Sequence, residues 1–250
     1  MDQRAESFAI EADPFYVEDL RQMSRAPNYQ RWQFQMVAPF LSGEVLEVGG
    51  GIGNFTPQLA RVAQFVTSLE PNEYCFNLLR EKIAPLKNAA AYRVTVETLG
   101  QVVPAGKQFD AIVLMNVLEH IKDDLGVLRE LKRHLAPAGR IVVLVPAGQW
   151  AFGPMDTRLG HFRRYTKTGA RPLVAELGLE LEKIRYYNFV GIWGWWWNAR
   201  FGRRQTQSDA QIRLFDGWIV PVLSRVEKYV LPPVGQSLLF VARRPANPLG

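Results

Sequence analysis

The chain has 250 residues, 48% of them hydrophobic, a net charge of +6 and a single cysteine, Cys75. That length suits one α/β domain with additions and an ample core. One cysteine excludes an intrachain disulfide framework and a cysteine metal cluster, and fits a reducing cytoplasmic setting. The start, Met1-Asp2-Gln3-Arg4-Ala5-Glu6, is charged and does not read as a signal peptide. The longest apolar candidate, Phe189 to Trp197, is about half the length that spans a bilayer. The basic surplus is local: Arg140, Arg158, Arg163, Arg164, Lys167 and Arg171, then Arg200, Arg203 and Arg204, then Arg243 and Arg244. Such a surface favours an anionic partner, although solvated arginines explain it equally well.

Residues 1–13 are polar and are expected to be loose. From Pro14 to Leu41 the chain reads as helix in pieces, broken by Pro27 and Pro39. Val45, Leu46 and Val48 then form a short buried strand. Gly49, Gly50, Gly51 and Gly53 follow it, and either Asn54 or Thr56 can cap a helix over about 56–63, with Pro57 in its first turn. Strand, glycine turn and helix N-terminus let a ligand approach bare backbone. A dinucleotide fingerprint needs G-x-G-x-x-G. Counting from Gly49 gives Gly51 and then Asn54, so the third glycine is missing. The pattern present is E-x-G-x-G-x-G: Glu47, Gly49, Gly51, Gly53.

A second strand, 65–69, ends at Glu70-Pro71-Asn72. Glu70 stands about twenty residues beyond the glycines, where a carboxylate accepts both ribose hydroxyls of a bound nucleoside. Glu73 to Leu86 reads as a helix with Cys75, Leu78, Leu79 and Ile83 on its apolar face. A third strand covers 90–94 and a fourth 109–116, which puts Asn116 at a carboxyl end. Glu119 and His120 follow as an acid/base or metal pair, or as a cap for the next turn. Asp123 to Leu135 is a helix whose acidic start and basic finish suit its dipole, so His134 falls on the surface. Pro137-Ala138-Gly139 stops it, and 140–145 is the fifth strand, apolar as in a parallel sheet covered on both faces. A loop over 147–168, a helix over 166–177, a sixth strand over 179–188 and an antiparallel edge strand over 237–242 complete the order. Five strand–helix–strand repeats predict a doubly wound parallel sheet, with ligands at the carboxyl ends of its strands.

The motifs E-V-G-G-G-I-G, F-D-A-I-V-L, V-L-E-H-I and L-A-P-A-G-R-I-V-V-L-V-P resemble those of class I S-adenosylmethionine (SAM) methyltransferases of the small-molecule type. The loop D-x-x-x-G-H-x-R-R-Y, Asp156 to Tyr165, resembles a subgroup often associated with glycosyltransferases. The resemblance implies one Rossmann-like domain over 1–250, a seven-stranded α/β sheet with its last strand antiparallel, and N-terminal lid helices over 1–41. It implies SAM as cofactor, held by Tyr29, Glu47, Gly49, Gly51, Gly53, Asn54, Glu70, Pro71, Thr95, Val96, Asn116 and Leu118. Tyr29 either touches the sulfonium or packs its helix on the sheet. Thr95 stands where the family has an acid for the adenine, with Glu97 as the fallback. Candidate catalytic residues are His161, Asn116, Tyr165 and His120, and no metal is expected. His161 is the best general base, with Asp156 orienting it and Arg163 or Arg164 binding an anionic group, unless Arg–Asp bonds simply brace the loop.

The implied reaction is in-line methyl transfer to an oxygen or nitrogen of a small metabolite or glycoconjugate precursor, anionic in character. Two rivals keep the cofactor: attack on its aminobutyryl chain, releasing methylthioadenosine, and noncatalytic SAM binding. Nucleic acid is not an expected partner, because no RNA-binding module is appended. The aromatic-rich helical insertion over 191–233 is either a wall of an apolar pocket, a homodimer contact, or a peripheral membrane contact through its tryptophans and Arg200, Arg203 and Arg204.

Overall fold

The protein is described from a computed structural model that covers residues 14–201 and 209–246. Residues 1–13 and the arginines at 203 and 204 lie outside the described residues.

Seven strands form one sheet: β1 (Glu44–Val48), β2 (Phe65–Leu69), β3 (Ala89–Tyr92), β4 (Phe109–Met115), β5 (Leu135–Pro146), β6 (Glu180–Tyr187) and β7 (Ser237–Arg243). Their order is β3-β2-β1-β4-β5-β7-β6. β1 to β5 pair in parallel, and β7 runs antiparallel to both β5 and β6. The last strand is thus antiparallel as expected, but it is not at the edge. β7 inserts between β5 and β6, and burial explains why: Leu238, Leu239, Phe240, Val241 and Ala242 are all buried, whereas β6 alternates exposed Glu182 and Lys183 with partly buried Leu181 and Ile184. A strand apolar on both faces belongs inside a sheet, and a charged one suits its edge.

The helices between the strands are α1 (Pro14–Ser24), α2 (Pro27–Val37), α3 (Thr56–Leu59), α4 (Glu73–Ile83), α5 (Asp124–Arg133), α6 (Pro154–Arg158), α7 (Lys167–Glu176), α8 (Phe189–Phe201), α9 (Asp209–Leu214) and α10 (Val220–Val226). Two apolar layers cover the sheet. One packs Leu128, Leu131 and Val174 on Ile112, Leu114 and Phe240. The other packs Trp32, Met36 and Val37 of α2 on Val45, Val113 and Val142.

Several boundaries differ from the sequence reading. α3 is one short turn with Phe55 at its N-cap; neither Asn54 nor Thr56 caps it. Asn54 donates instead to the Leu20 carbonyl of α1 at 2.9 Å, and Thr56 to Glu47 at 2.6 Å. β5 begins at Leu135, five residues before the expected Arg140, because Leu135 pairs with Phe109 and the register then slips to Arg140 opposite Ala111. Pro137-Ala138-Gly139 is that irregularity, with Ala138 at φ +61°, and does not end the pairing. The loop after β5 contains α6. In the insertion, Pro221 stands in the first turn of α10, where its missing N–H costs nothing.

Phe240 is 1% exposed and sits between β5 and β6 at the centre of one apolar layer. Phe240→Ala is expected to cost about 3–5 kcal/mol, read as a lowered urea midpoint with an unchanged slope.

Candidate active site

β1 and β4 are neighbours although α3, β2, α4 and β3 lie between them in sequence, so the crevice where the chain reverses direction opens at their carboxyl ends. The glycine turn leaves β1 there. Gly49, Gly51 and Gly53 have φ of +74°, +54° and +75°, a region that side chains enter only with strain. A Cβ on Gly49 would also stand 2.5 Å from Val117. Glu47 braces this turn from beneath: its Oε2 accepts from Thr56 and Ser68, both at 2.6 Å, and burial raises its pKa.

Glu70 ends β2 beside the turn and is 2% exposed. Its Oε2 accepts from the Gly51 N–H at 2.7 Å and its Oε1 from the Asn72 N–H at 2.9 Å. Each oxygen keeps a second lone pair, which suits two hydroxyls of a vicinal diol. Burial pushes its pKa to about 7, against the two backbone bonds that lower it. These acceptor oxygens, beside a glycine-rich turn, fit the ribose of a nucleoside. Leu20 of α1 covers the turn, with Cδ1 3.2 Å from where a Cβ on Gly51 would stand.

Of the other expected cofactor residues, Asn116 sits at the carboxyl end of β4, on the same crevice, with φ +55° and half exposed. Thr95 caps the short 3-10 turn Val96–Gln101 in reciprocal bonding with Thr98. Val96 and Leu118 are buried in the core. Tyr29 turns away from the glycine turn; its ring stacks edge-on to Trp32 and Phe215 and lines a separate cavity.

That cavity has a volume of about 560 Å³, within the range of small-molecule sites. Met23, Tyr29, Trp193, Trp195, Ile212 and Phe215 give it an apolar wall, and Glu18, Asp19, Arg158 and Gln236 supply polar points. α1 divides the two spaces, with Leu20 on the glycine turn and Asp19 and Met23 on the cavity. Asp19 borders solvent in the cavity yet is crowded by protein; that crowding raises its pKa, with His161 nearby opposing. The insertion is tied to the lid through Asp216. Its carboxylate accepts the Asn28 and Tyr29 N–H groups at 3.2 and 2.8 Å, capping α2 from across the cavity.

Beneath the cavity, Asp156 gathers the loop after β5. Its carboxylate accepts from Gly153 N–H at 3.0 Å and Arg164 Nε at 2.7 Å, and its Oδ1 meets His161 Nδ1 at 2.9 Å. Burial alone would raise its pKa, but His161 and the Arg164 guanidinium hold it below the usual carboxylate range. Arg164 also donates to the Ala147 carbonyl and lies over the Trp195 ring. Arg163 is paired with Asp124 at 2.6 Å and with the Lys122 carbonyl. Both arginines expected to bind an anion are therefore engaged internally. The Tyr165 hydroxyl bonds Asp124 at 2.8 Å, and burial raises its pKa. Glu119 is fully buried and caps nothing through its carboxylate. Its pKa rises to about 7 through burial, while that of His120 falls to about 3 through burial and the proximity of His161. Asp216 carries no local signal in the sequence, whereas the insertion over 191–233, read there as one possible wall of an apolar pocket, lines this cavity through Trp193, Trp195, Ile212, Phe215 and Ile219.

A family model described as a methyltransferase domain matches residues 21–207. A demethylmenaquinone methyltransferase of Tropheryma whipplei is 29% identical over 116 residues, 46% of this chain and 47% of the relative. A ubiquinone biosynthesis O-methyltransferase of Dinoroseobacter shibae is 32% identical over 101 residues, 40% of each chain. The chain thus spans less than half the length of these curated relatives. The crystal structure of the N-methyltransferase NodS from Bradyrhizobium japonicum, in complex with S-adenosylhomocysteine, superimposes with a TM-score of 0.53 at 16% identity, covering 92% of this chain and 88% of that one.

In the free protein Glu70 binds its proton below about pH 7, and a diol donating to both oxygens needs the ionised form. Nucleoside affinity should therefore rise as pH increases from about 5 to 7 and level off above it. Calorimetry with S-adenosylhomocysteine across that range should show the rise in wild type, and weak, pH-flat binding in Glu70→Gln.

Proposed function

The chain belongs to the methyltransferase-domain family, and from that premise we propose that it transfers the methyl group of S-adenosylmethionine to an oxygen or nitrogen of a small, largely apolar acceptor. The observation that carries this reading is the pairing of two spaces at one end of the sheet: a glycine turn with a diol-binding carboxylate, and an aromatic cavity on the far side of α1. Bound at the turn, S-adenosylmethionine supplies an already activated methyl group. The chain's own task is then to hold the acceptor in line and keep water out. Tyr29, Trp193 and Trp195 flank the acceptor, and Gln236 and Arg158 fix its polar end. An anionic group on the acceptor would meet Arg158, which lines the cavity. His161, oriented by Asp156, takes the proton of a hydroxyl acceptor. Tyr165, bonded to Asp124, positions the loop that carries His161.

The acceptor arrives from an anionic lipid surface. Along the insertion, Leu214, Trp218, Val222, Val226 and Tyr229 form an exposed apolar stripe, with Trp218 at 75% and Tyr229 at 89% exposure. The segment's two acids point inward: Asp216 caps α2, and Glu227 accepts the Asn188 and Phe189 N–H groups. The exposed charges of 212–231 are then Arg213, Arg225 and Lys228, all positive. An apolar stripe with a cationic fringe is the pattern of a helix lying in a membrane interface. No helix among the described residues is long and apolar enough to cross a membrane. Leu214 and Trp193 belong to both the exposed face and the cavity wall, so an apolar acceptor can pass from one to the other.

Incubation with labelled S-adenosylmethionine and a panel of polyprenyl or acyl acceptors should yield S-adenosylhomocysteine and a methylated product. Methylthioadenosine would instead mean attack on the aminobutyryl chain. Co-sedimentation should show binding to phosphatidylglycerol vesicles, little binding to phosphatidylcholine, and loss of binding in Trp218→Ser/Val222→Ser. A lipid-independent dimer broken by the same substitutions would make the stripe a homodimer contact.

A further inference from the structure

We infer that Glu119, His120 and His161 form a binding site for one divalent transition-metal ion. The three side chains come from two segments, the turn after β4 and the loop after β5, and each offers one ligand atom, all within 4.8 Å of one another. Nothing in the nucleoside site or the apolar cavity requires that convergence.

The strongest sign is Glu119. It is fully buried, and neither carboxylate oxygen has a hydrogen-bond partner among the described residues. A buried carboxylate left that way costs several kcal/mol, so a fold that keeps one has a use for it. What the carboxylate faces is two imidazoles, their rings edge to face with centroids 4.7 Å apart. Two imidazoles without a cation gain little from such an approach beside a carboxylate. A dication between them turns the desolvated carboxylate from a cost into a ligand.

The surroundings match those of a metal site. His161 gives Nδ1 to the Asp156 carboxylate at 2.9 Å, which orients the ring and leaves Nε2 to the cluster, the carboxylate–histidine arrangement found behind metal ligands. Asp156 is fixed in turn by Arg164 and Gly153. His120 is held by backbone groups of Leu159 and Gly160. One carboxylate and two imidazoles favour zinc, iron or nickel over magnesium or calcium, which prefer all-oxygen sets. Three protein ligands leave a coordination position open. Leu159 and Met155, neighbours of this loop, line the cavity.

The site does not depend on methyl transfer, but it bears on it. With a metal bound, His161 is a ligand and not a base, and lowering the pKa of a metal-bound hydroxyl replaces the base.

The test uses the full, tag-free chain, stripped with a chelator and dialysed. Calorimetry with Zn2+ should give about one equivalent per chain, and Co2+ should give visible d–d bands in the same stoichiometry. His161→Asn, His120→Asn and Glu119→Gln should each abolish the Co2+ bands. Asp156→Asn should weaken Zn2+ binding by about 10–100-fold, and His134→Gln should leave it unchanged. Circular dichroism checks that each variant is folded; should Glu119→Gln not fold, the two histidine variants and Asp156→Asn decide the matter. Failure of the stripped wild-type chain to bind Zn2+ or Co2+, or binding that persists unchanged in folded His161→Asn, would overturn the proposal. Because the readout is metal binding without turnover, it is separate from whether methyl transfer is the reaction.

Discussion

Asp156 has its carboxylate out of water and three donors aimed at it: the Gly153 amide, the Arg164 guanidinium and the His161 ring. Buried charges survive only when paired and fully bonded, so this residue holds its partners tightly. Through Arg164 it reaches the Ala147 carbonyl at the end of β5 and the Trp195 ring on α8. Through His161 it reaches Glu119 and His120 at the end of β4. One acid thereby fixes the loop after β5 against two strands and the insertion, and with it the floor of the apolar cavity. A loop of this length would otherwise be the loosest part of such a fold.

Glu47 plays the same part on the nucleoside side. Bonded by Ser68 and Thr56, it ties β1, β2 and α3 together under the glycine turn. The turn can then keep its left-handed φ values without backing from its own side chains. In both places a buried acid gathers bonds from several neighbouring elements.

The parts legible in sequence were those set by local pattern. Strands β1, β2 and β4, the glycine turn and Glu70 follow from apolar runs, left-handed residues and an offset of about twenty. The parts that were not legible depend on contacts far apart in the chain. Asn54 and Thr56 read as helix caps because caps are local, but Leu20 and Glu47 compete for them and win. Arg163 and Arg164 read either as anion binders or as braces of their loop by Arg–Asp bonds; that the braces are Asp124 and Asp156 emerges only once the loop is folded. β7 read as an edge strand although its unbroken apolar run, Leu238 to Ala242, marks an interior one; which strands flank it is decided only by the fold. Asp216 lies 188 residues from Asn28, and no periodicity reports that bond.

Leu20 makes α1 answer to both ends of the crevice at once. Its side chain packs over Gly51, while the same helix carries Asp19 and Met23 on the cavity and adjoins α2, which Asp216 anchors to the insertion. A shift of α1 that moves Leu20 off the turn therefore moves part of the cavity wall with it, so one helix couples the two spaces mechanically.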